Sequence, residues 1–217
     1  MKNLLAKEFK LAANPLTFFF TAATVMTMLP GYPILLGAFF VCLGIFYSFQ
    51  NAREANDVIY SVLLPVKKTD IVKSKYLFVV ILEGASFALA SALTALRMTA
   101  LSGASPYITN ALMNASPFYL AIVLLIFAAF NTVFLGLHFR TGWKIGVPFI
   151  VFCVAALFII AAGEAVHFFP GMAWLNAPAG EGLPFQFACL GSGAVVFCGS
   201  TVLSCAASMK RFDRIDL

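Results

Sequence analysis

The chain has 217 residues, of which 62% are hydrophobic and 11% charged, with a mean hydropathy of +0.96. A soluble domain carries roughly 45–50% apolar and about 25% charged residues, and surface-to-volume scaling gives a chain of this size no interior large enough to hide the excess. A soluble globular domain, a disordered chain and a disulfide-rich secreted module are thereby excluded. The apolar runs are long and unbroken, which excludes a barrel of short alternating strands and leaves an all-α polytopic membrane protein, 1–217 forming one transmembrane domain.

Taken in chain order, residues 1–13 place Leu4, Leu5, Phe9, Leu11 and Ala12 at roughly helical spacing, with Lys2, Lys7 and Lys10 between them. This predicts an amphipathic helix on the membrane surface, a charged lead-in to the first span being the alternative. No small-residue cleavage site follows, so a cleavable signal peptide is not expected. Residues 15–49 are apolar apart from Pro30-Gly31-Tyr32-Pro33, whose two prolines around a glycine predict a tight turn. Span 1 is expected over 15–29 and span 2 over 33–49. Both fall short of the ~20 residues a bilayer core takes, so a re-entrant hairpin is the alternative. A cytoplasmic loop covers 51–75. Spans 3 and 4 (76–96 and 117–137) lie within 76–137, and spans 5 and 6 (145–163 and 187–208) within 145–208. An outer loop, 164–186, separates the last two, with His167, Phe168, Phe169 and Trp174 at interfacial spacing and Glu181 beyond.

The formal charge of +5 is informative by position, not as a nucleic-acid signal; no nucleic-acid partner is expected. Thirteen of the fourteen basic residues fall in the N-terminus, the 51–75 loop, the 137–145 connection or the C-terminus, and only Arg97 falls opposite. The positive-inside rule puts both termini and those loops in the cytoplasm, which an even six spans satisfies. Cys42, Cys153, Cys189, Cys198 and Cys205 lie in apolar runs without metal spacing and read as packing residues. Glu164 and His167, at i and i+3, are too few for a metal site, and none is expected.

The cytoplasmic loop is the most informative segment. Val58, Ile59, Val62 and Leu63 predict one apolar helical face, and Pro65 ends that helix. Thr69 is the expected N-cap of a second helix, with Asp70 in its first turn, running on into span 3. Such a loop helix can lie on lipid, pack on its own protein or dock into a partner. At Glu54 and Asp57, Leu64-Pro65-Val66, Asp70-Ile71-Val72 and Ser74-Lys75-Tyr76-Leu77 the sequence resembles the type-2 ABC exporter permeases. The resemblance is nearest to the compact bacterial branch that exports phenol-soluble modulin peptides. Where that family often has Ser-Arg, Lys67-Lys68 stands here, keeping the charge without the planar fork.

The resemblance implies a coupling helix around Glu54–Leu64 seated in a separate ATP-binding cassette subunit, with Lys67–Lys75 as the return arm and Pro65, Lys68 and Asp70 among the coupling residues. It further implies a second permease copy, identical or related, a location in the bacterial cell membrane, and an amphipathic peptide or other hydrophobic cargo. The chain has no Gly-x-x-x-x-Gly-Lys-[Ser/Thr] phosphate loop, so ATP and Mg are expected on the partner and no cofactor here. The permease itself would not be an enzyme.

Inside the membrane, Glu83 lies about 10 Å past Tyr76 at 1.5 Å per residue, and Asn131 lies equally far from the cytoplasmic end of span 4. Together with Ser200 and Thr201 they predict a polar layer in which Glu83 meets Asn131. The functional reading is a pathway or gating residue, and the plain one is interhelical bonding. An ATP-independent transporter or channel built on Glu83 is the alternative function. Gly84, Ala88 and Ala92, with Gly191, Gly193 and Gly199, are expected at close helix contacts.

Overall fold

The computed structural model describes every residue except Met1, Pro30, Ser105, Pro106, Ile108, Thr109, Gly142, Trp143, Pro178, Ala179, Glu181, Asp216 and Leu217. Pro30 of the predicted turn and Glu181 of the outer loop thus lie outside the described residues. The rest of the chain is helical, with no strand among the described residues.

The first helix, α1 (Lys2–Lys7), runs into a π turn, Glu8–Ala12. Asn14 then caps α2 (Pro15–Ala22): its side chain accepts from the Leu16 backbone N–H, Thr17 returns a bond to the Asn14 backbone, and Pro15 sits where its missing N–H costs nothing. The two segments, Lys2–Ala12 and Pro15–Met28, meet at 91°. α2 tightens into a 3-10 turn, Ala23–Met28, and returns along α3 (Leu36–Glu54). Gly31 in the turn takes a positive φ of 82°, which suits glycine. The α2–α3 approach rests on Gly44: a Cβ there would lie 2.6 Å from the Cβ of Phe20 and 3.1 Å from the Thr17 carbonyl.

The chain breaks at Ala55-Asn56, Asn56 taking a left-handed φ of 51° that asparagine tolerates. α4 (Asp57–Leu63) follows and stops before Leu64, which is extended because Pro65 disfavours a helical residue ahead of it. Then come α5 (Lys68–Thr99), α6 (Pro117–Thr141), α7 (Gly146–Ala165, with a 3-10 turn to Phe168) and α8 (Leu183–Asp213). Inside α6 a π turn spans Phe130–Leu135.

Among the described residues, four helices are long and apolar enough to cross a membrane: α5, α6, α7 with its 3-10 turn, and α8; the bent N-terminal pair would make five. α3, expected as span 2, is not among them. It begins three residues later than expected and ends in the polar Gln50-Asn51-Ala52-Arg53-Glu54. α6 is the central helix, its apolar window 72% buried against 17% for α7 and α8. Phe127, Phe130 and Phe134 of α6 are wholly buried, as are Phe78, Phe139, Phe152 and Phe212 around them. α7 and α8 instead turn Leu157, Phe158, Val195, Val202 and Leu203 outward, more apolar surface than water would tolerate without lipid or a partner over it.

Several expectations change. The return arm and span 3 are one helix, beginning at Lys68; Lys67 occupies its N-cap without a side-chain bond, so Thr69 is not the cap. Asp70 does lie in its first turn. Gly193 packs against Ala121 of α6, but among the described residues nothing comes within 4 Å of a Cβ built at Gly84, Gly191 or Gly199. The outer loop carries a 3-10 turn, Ala173–Asn176, held to the start of α8 by Gln186, whose amide donates to the Trp174 and Ala177 carbonyls at 3.0 and 2.9 Å.

Candidate functional site

α4 has two edges. Val58 and Val62 turn inward onto the core, while Ile59, Tyr60, Leu63 and Leu64 turn out, Leu63 at 76% exposure and Tyr60 at 65%. The single apolar face expected over 58, 59, 62 and 63 is therefore split: 58 and 62 form one i, i+4 pair, 59 and 63 the next, about 100° around the helix. Tyr60 completes the outward edge. Glu54 stands apart from α4 as the last residue of α3, accepting from the Gln50 amide at 3.2 Å.

The inner edge is held by charge. Lys75 of α5 is 2% exposed and donates to Glu8 Oε2 at 2.9 Å and to Asp57 Oδ2 at 3.0 Å. Lys7 donates to Asp57 Oδ1 at 2.7 Å and to Ser61 Oγ at 2.8 Å, and lies 3.1 Å from Glu8 Oε1. Two cations and two carboxylates thus alternate in one neutral cluster that joins α1, α4 and α5. Burial alone would raise the Asp57 carboxyl; Lys75 beside it and the bond from Lys7 outweigh that and hold it below its ordinary value. Lys75 also lies 5.5 Å over the Phe49 ring.

Lys7 and Glu8 were not singled out from sequence, although Glu8 falls four residues after the buried Leu4. A carboxylate on the inward face of a helix needs a buried partner, and that was the available signal. Between the π turn after α1 and α4 lies a cavity of about 540 Å³, lined by Leu11, Ala55, Tyr60, Leu63 and Leu64 among others. Lys68 is engaged within the chain, donating to the Ile215 carbonyl beyond α8 at 2.7 Å. Asp70 makes only a loose 4.0 Å pair with Lys73.

The intramembrane residues meet at the π turn of α6. The Asn131 amide donates to Glu83 Oε2 at 2.8 Å and to Thr201 Oγ1 at 3.1 Å, with Glu83 and Asn131 wholly buried. Ser200 does not join: its hydroxyl donates to the Phe197 carbonyl of its own helix at 3.3 Å. Ser204 stands where Ser200 is expected, donating to the Asn131 carbonyl at 2.8 Å, while the Tyr76 hydroxyl sits 2.9 Å from both Ser204 and Ser208. Thr201, Ser204 and Ser208 recur at i, i+3 and i+7, a polar stripe on α8 legible in the sequence. Because a π turn breaks the regular i to i+4 ladder, it leaves the Asn131 carbonyl open to these hydroxyls.

No group of three or more metal-ligating side chains occurs among the described residues. No curated protein and no solved structure matches the chain. The model of the family described as ABC-2 family transporter protein matches residues 3–213, nearly the whole chain. An ATP-binding cassette partner goes with that family in general. The chain belongs to the ABC-2 transporter family and is a multi-pass membrane permease of an ABC-type transporter.

Proposed function

We propose that the permease is an exporter subunit driven by a separate ATP-binding subunit that grips the outward edge of α4. The observation that carries this reading is the two-edged helix. Ile59, Tyr60, Leu63 and Leu64 are apolar and exposed on a segment tied to the body by ion pairs on its other edge. A seven-residue helix so tied cannot swing alone. A pull on α4 is passed through Asp57 to Lys75 at the base of α5 and to Lys7 and Glu8 beyond α1. From α5, the Glu83–Asn131–Thr201 contacts reach α6 and α8.

In this reading α2 and α3 pair as spans 1 and 2, six spans in all, with α1 on the membrane surface and both termini on the cytoplasmic side of a bacterial cell membrane. ATP and Mg reside on the partner, and two permease copies frame the pathway. Nucleotide closure and cargo each act only through a different affinity for the inward- and outward-open states. The cargo is an amphipathic peptide or other hydrophobic compound, as in the phenol-soluble modulin exporters that the 53–77 segment resembles.

The test is reconstitution with the cognate ATP-binding subunit in proteoliposomes. ATP-dependent movement of an amphipathic helical peptide is expected, abolished by omitting the partner. Flux driven by a proton gradient through the permease alone, lost in Glu83→Gln, would replace this reading by a secondary transporter.

A further inference from the structure

The end of α5 remote from Lys75 carries a second buried cation with a different environment. Arg97 is 6% exposed. It donates through Nη1 to the Thr27 carbonyl at 2.9 Å and through Nη2 to the Met113 carbonyl, and its guanidinium lies 4.3 Å from the Tyr107 ring. Tyr107 in turn donates to the Met28 carbonyl at 2.9 Å. All of these partners are neutral. Among the described residues no carboxylate pairs with Arg97, and its Nε is buried without a hydrogen-bond partner.

Arg97 forms part of the wall of a cavity of about 360 Å³, with Ser102, Tyr107, Asn114, His167 and Trp174. The Nδ1 of His167 is likewise buried without a partner. Glu164 lines a separate, much smaller cavity that shares Asn114 but makes no ion pair with Arg97. A buried cation whose charge no neighbouring anion balances is costly, and it favours an anion in the nearest space that can take one. Hydroxyl, amide and imidazole groups around one guanidinium suit a tetrahedral oxyanion with several acceptor oxygens. Trp174 and the remaining walls, Leu101, Ala115, Ala173 and Ala177, suit the apolar flank of an amphiphile.

We infer that this cavity is a binding site for a phosphate group, charged against Arg97, either as the head group of an anionic amphiphile or as free phosphate. The proposal is independent of which subunit or energy source drives the permease.

Trp174 in the wall supplies the readout once Trp143, the other tryptophan, is replaced by phenylalanine. Dihexanoyl phosphatidylglycerol, inorganic phosphate and dihexanoyl glycerol are titrated separately into the protein in an uncharged detergent, following Trp174 fluorescence. A saturable response to the phosphatidylglycerol is expected, and none to the phosphate-free glycerolipid. A response to the phosphatidylglycerol alone assigns a lipid-type head group; a response to inorganic phosphate as well assigns the phosphate itself. Arg97→Gln should weaken binding at least tenfold and Arg97→Lys less. Because Arg97 ties backbone segments, Ser102→Glu on the exposed rim serves as a second variant: it leaves the Arg97 bonds in place and puts a carboxylate in the cavity, and it too should weaken binding at least tenfold. No saturable response to either phosphate probe, an equal response to the phosphate-free lipid, or unchanged affinity in Ser102→Glu would overturn the assignment.

Discussion

α5 carries a buried cation near each end, Lys75 and Arg97, about 33 Å apart along the helix at 1.5 Å per residue. Lys75 meets two carboxylates brought from α4 and from beyond α1, whereas Arg97 meets two carbonyls and a tyrosine ring. Charge against charge makes a joint: each element holds the others because letting go strands an ion. Charge against backbone makes an anchor that ties segments together while leaving its field uncancelled. The first arrangement suits a place where force enters the molecule, the second a place where an anion is held.

The largest effect should come from stranding the ions of the joint. Lys75→Met leaves the carboxylates of Glu8 and Asp57 to share the one remaining cation, Lys7, an uncompensated buried charge that should cost about 3–5 kcal/mol. Thermal unfolding in detergent should register it, and adding Glu8→Gln, which leaves Lys7 paired with Asp57 in a neutral cluster, should restore most of the loss. If the double variant is no more stable than the single one, the cluster is not a charge-compensated joint. Arg97→Met removes a cation without stranding a charge. Its cost should be smaller, about 2–3 kcal/mol for the lost charge-assisted bonds, in the same measurement. An equal cost at the two ends would erase the distinction between joint and anchor.

The mid-membrane layer lies between these extremes, because there a carboxyl meets a neutral amide. Glu83→Gln should shift stability by only about 0.6 kcal/mol, as interhelical hydrogen bonds in lipid do. Unfolding in lipid nanodiscs would measure it; a loss as large as that of Lys75→Met would put this layer on the same footing as the joint.

The smallest effect near neutrality is that of pH on Asp57. Its carboxyl is held below the ordinary value of about 3.9. The joint's contribution from that group is therefore present above about pH 4 and lost only as pH falls through the lowered value. Stability followed from pH 8 to pH 6 should not register Asp57, and the difference between wild type and Asp57→Asn should shrink only in stronger acid.

The same contrast explains what the sequence made legible. Apolar runs and the sorting of lysines marked the membrane class, and depth counting brought Glu83 opposite Asn131, because helical rise converts position into height. Rise gives height but not the direction around an axis, so Ser200 was grouped with Thr201, which lies one step away on α8 and faces inward. The split of α4 into a Val58–Val62 edge and an Ile59–Leu63 edge was hidden for the same reason: all four side chains are apolar, and only the bend at Asn56 and the pull on Asp57 decide which pair turns in. Lys75 is visible in the sequence as a basic loop residue and as part of the Ser74-Lys75-Tyr76-Leu77 resemblance, without a partner. Its partner Glu8 comes from a segment read as a surface helix, and nothing local to either residue announces the pairing.

In the proposed function the outward edge of α4 is the docking surface for an ATP-binding subunit, while the inward edge belongs to the joint. Leu63→Asp tests it most directly. This side chain is 76% exposed and lies outside the apolar core, on the cavity wall it shares with Lys7 and Asp57. The affinity of the cognate ATP-binding subunit for the permease in nanodiscs should fall at least tenfold in Leu63→Asp, with the thermal stability of the permease changed by less than about 0.5 kcal/mol. Unaltered affinity with a stable fold would contradict the claim.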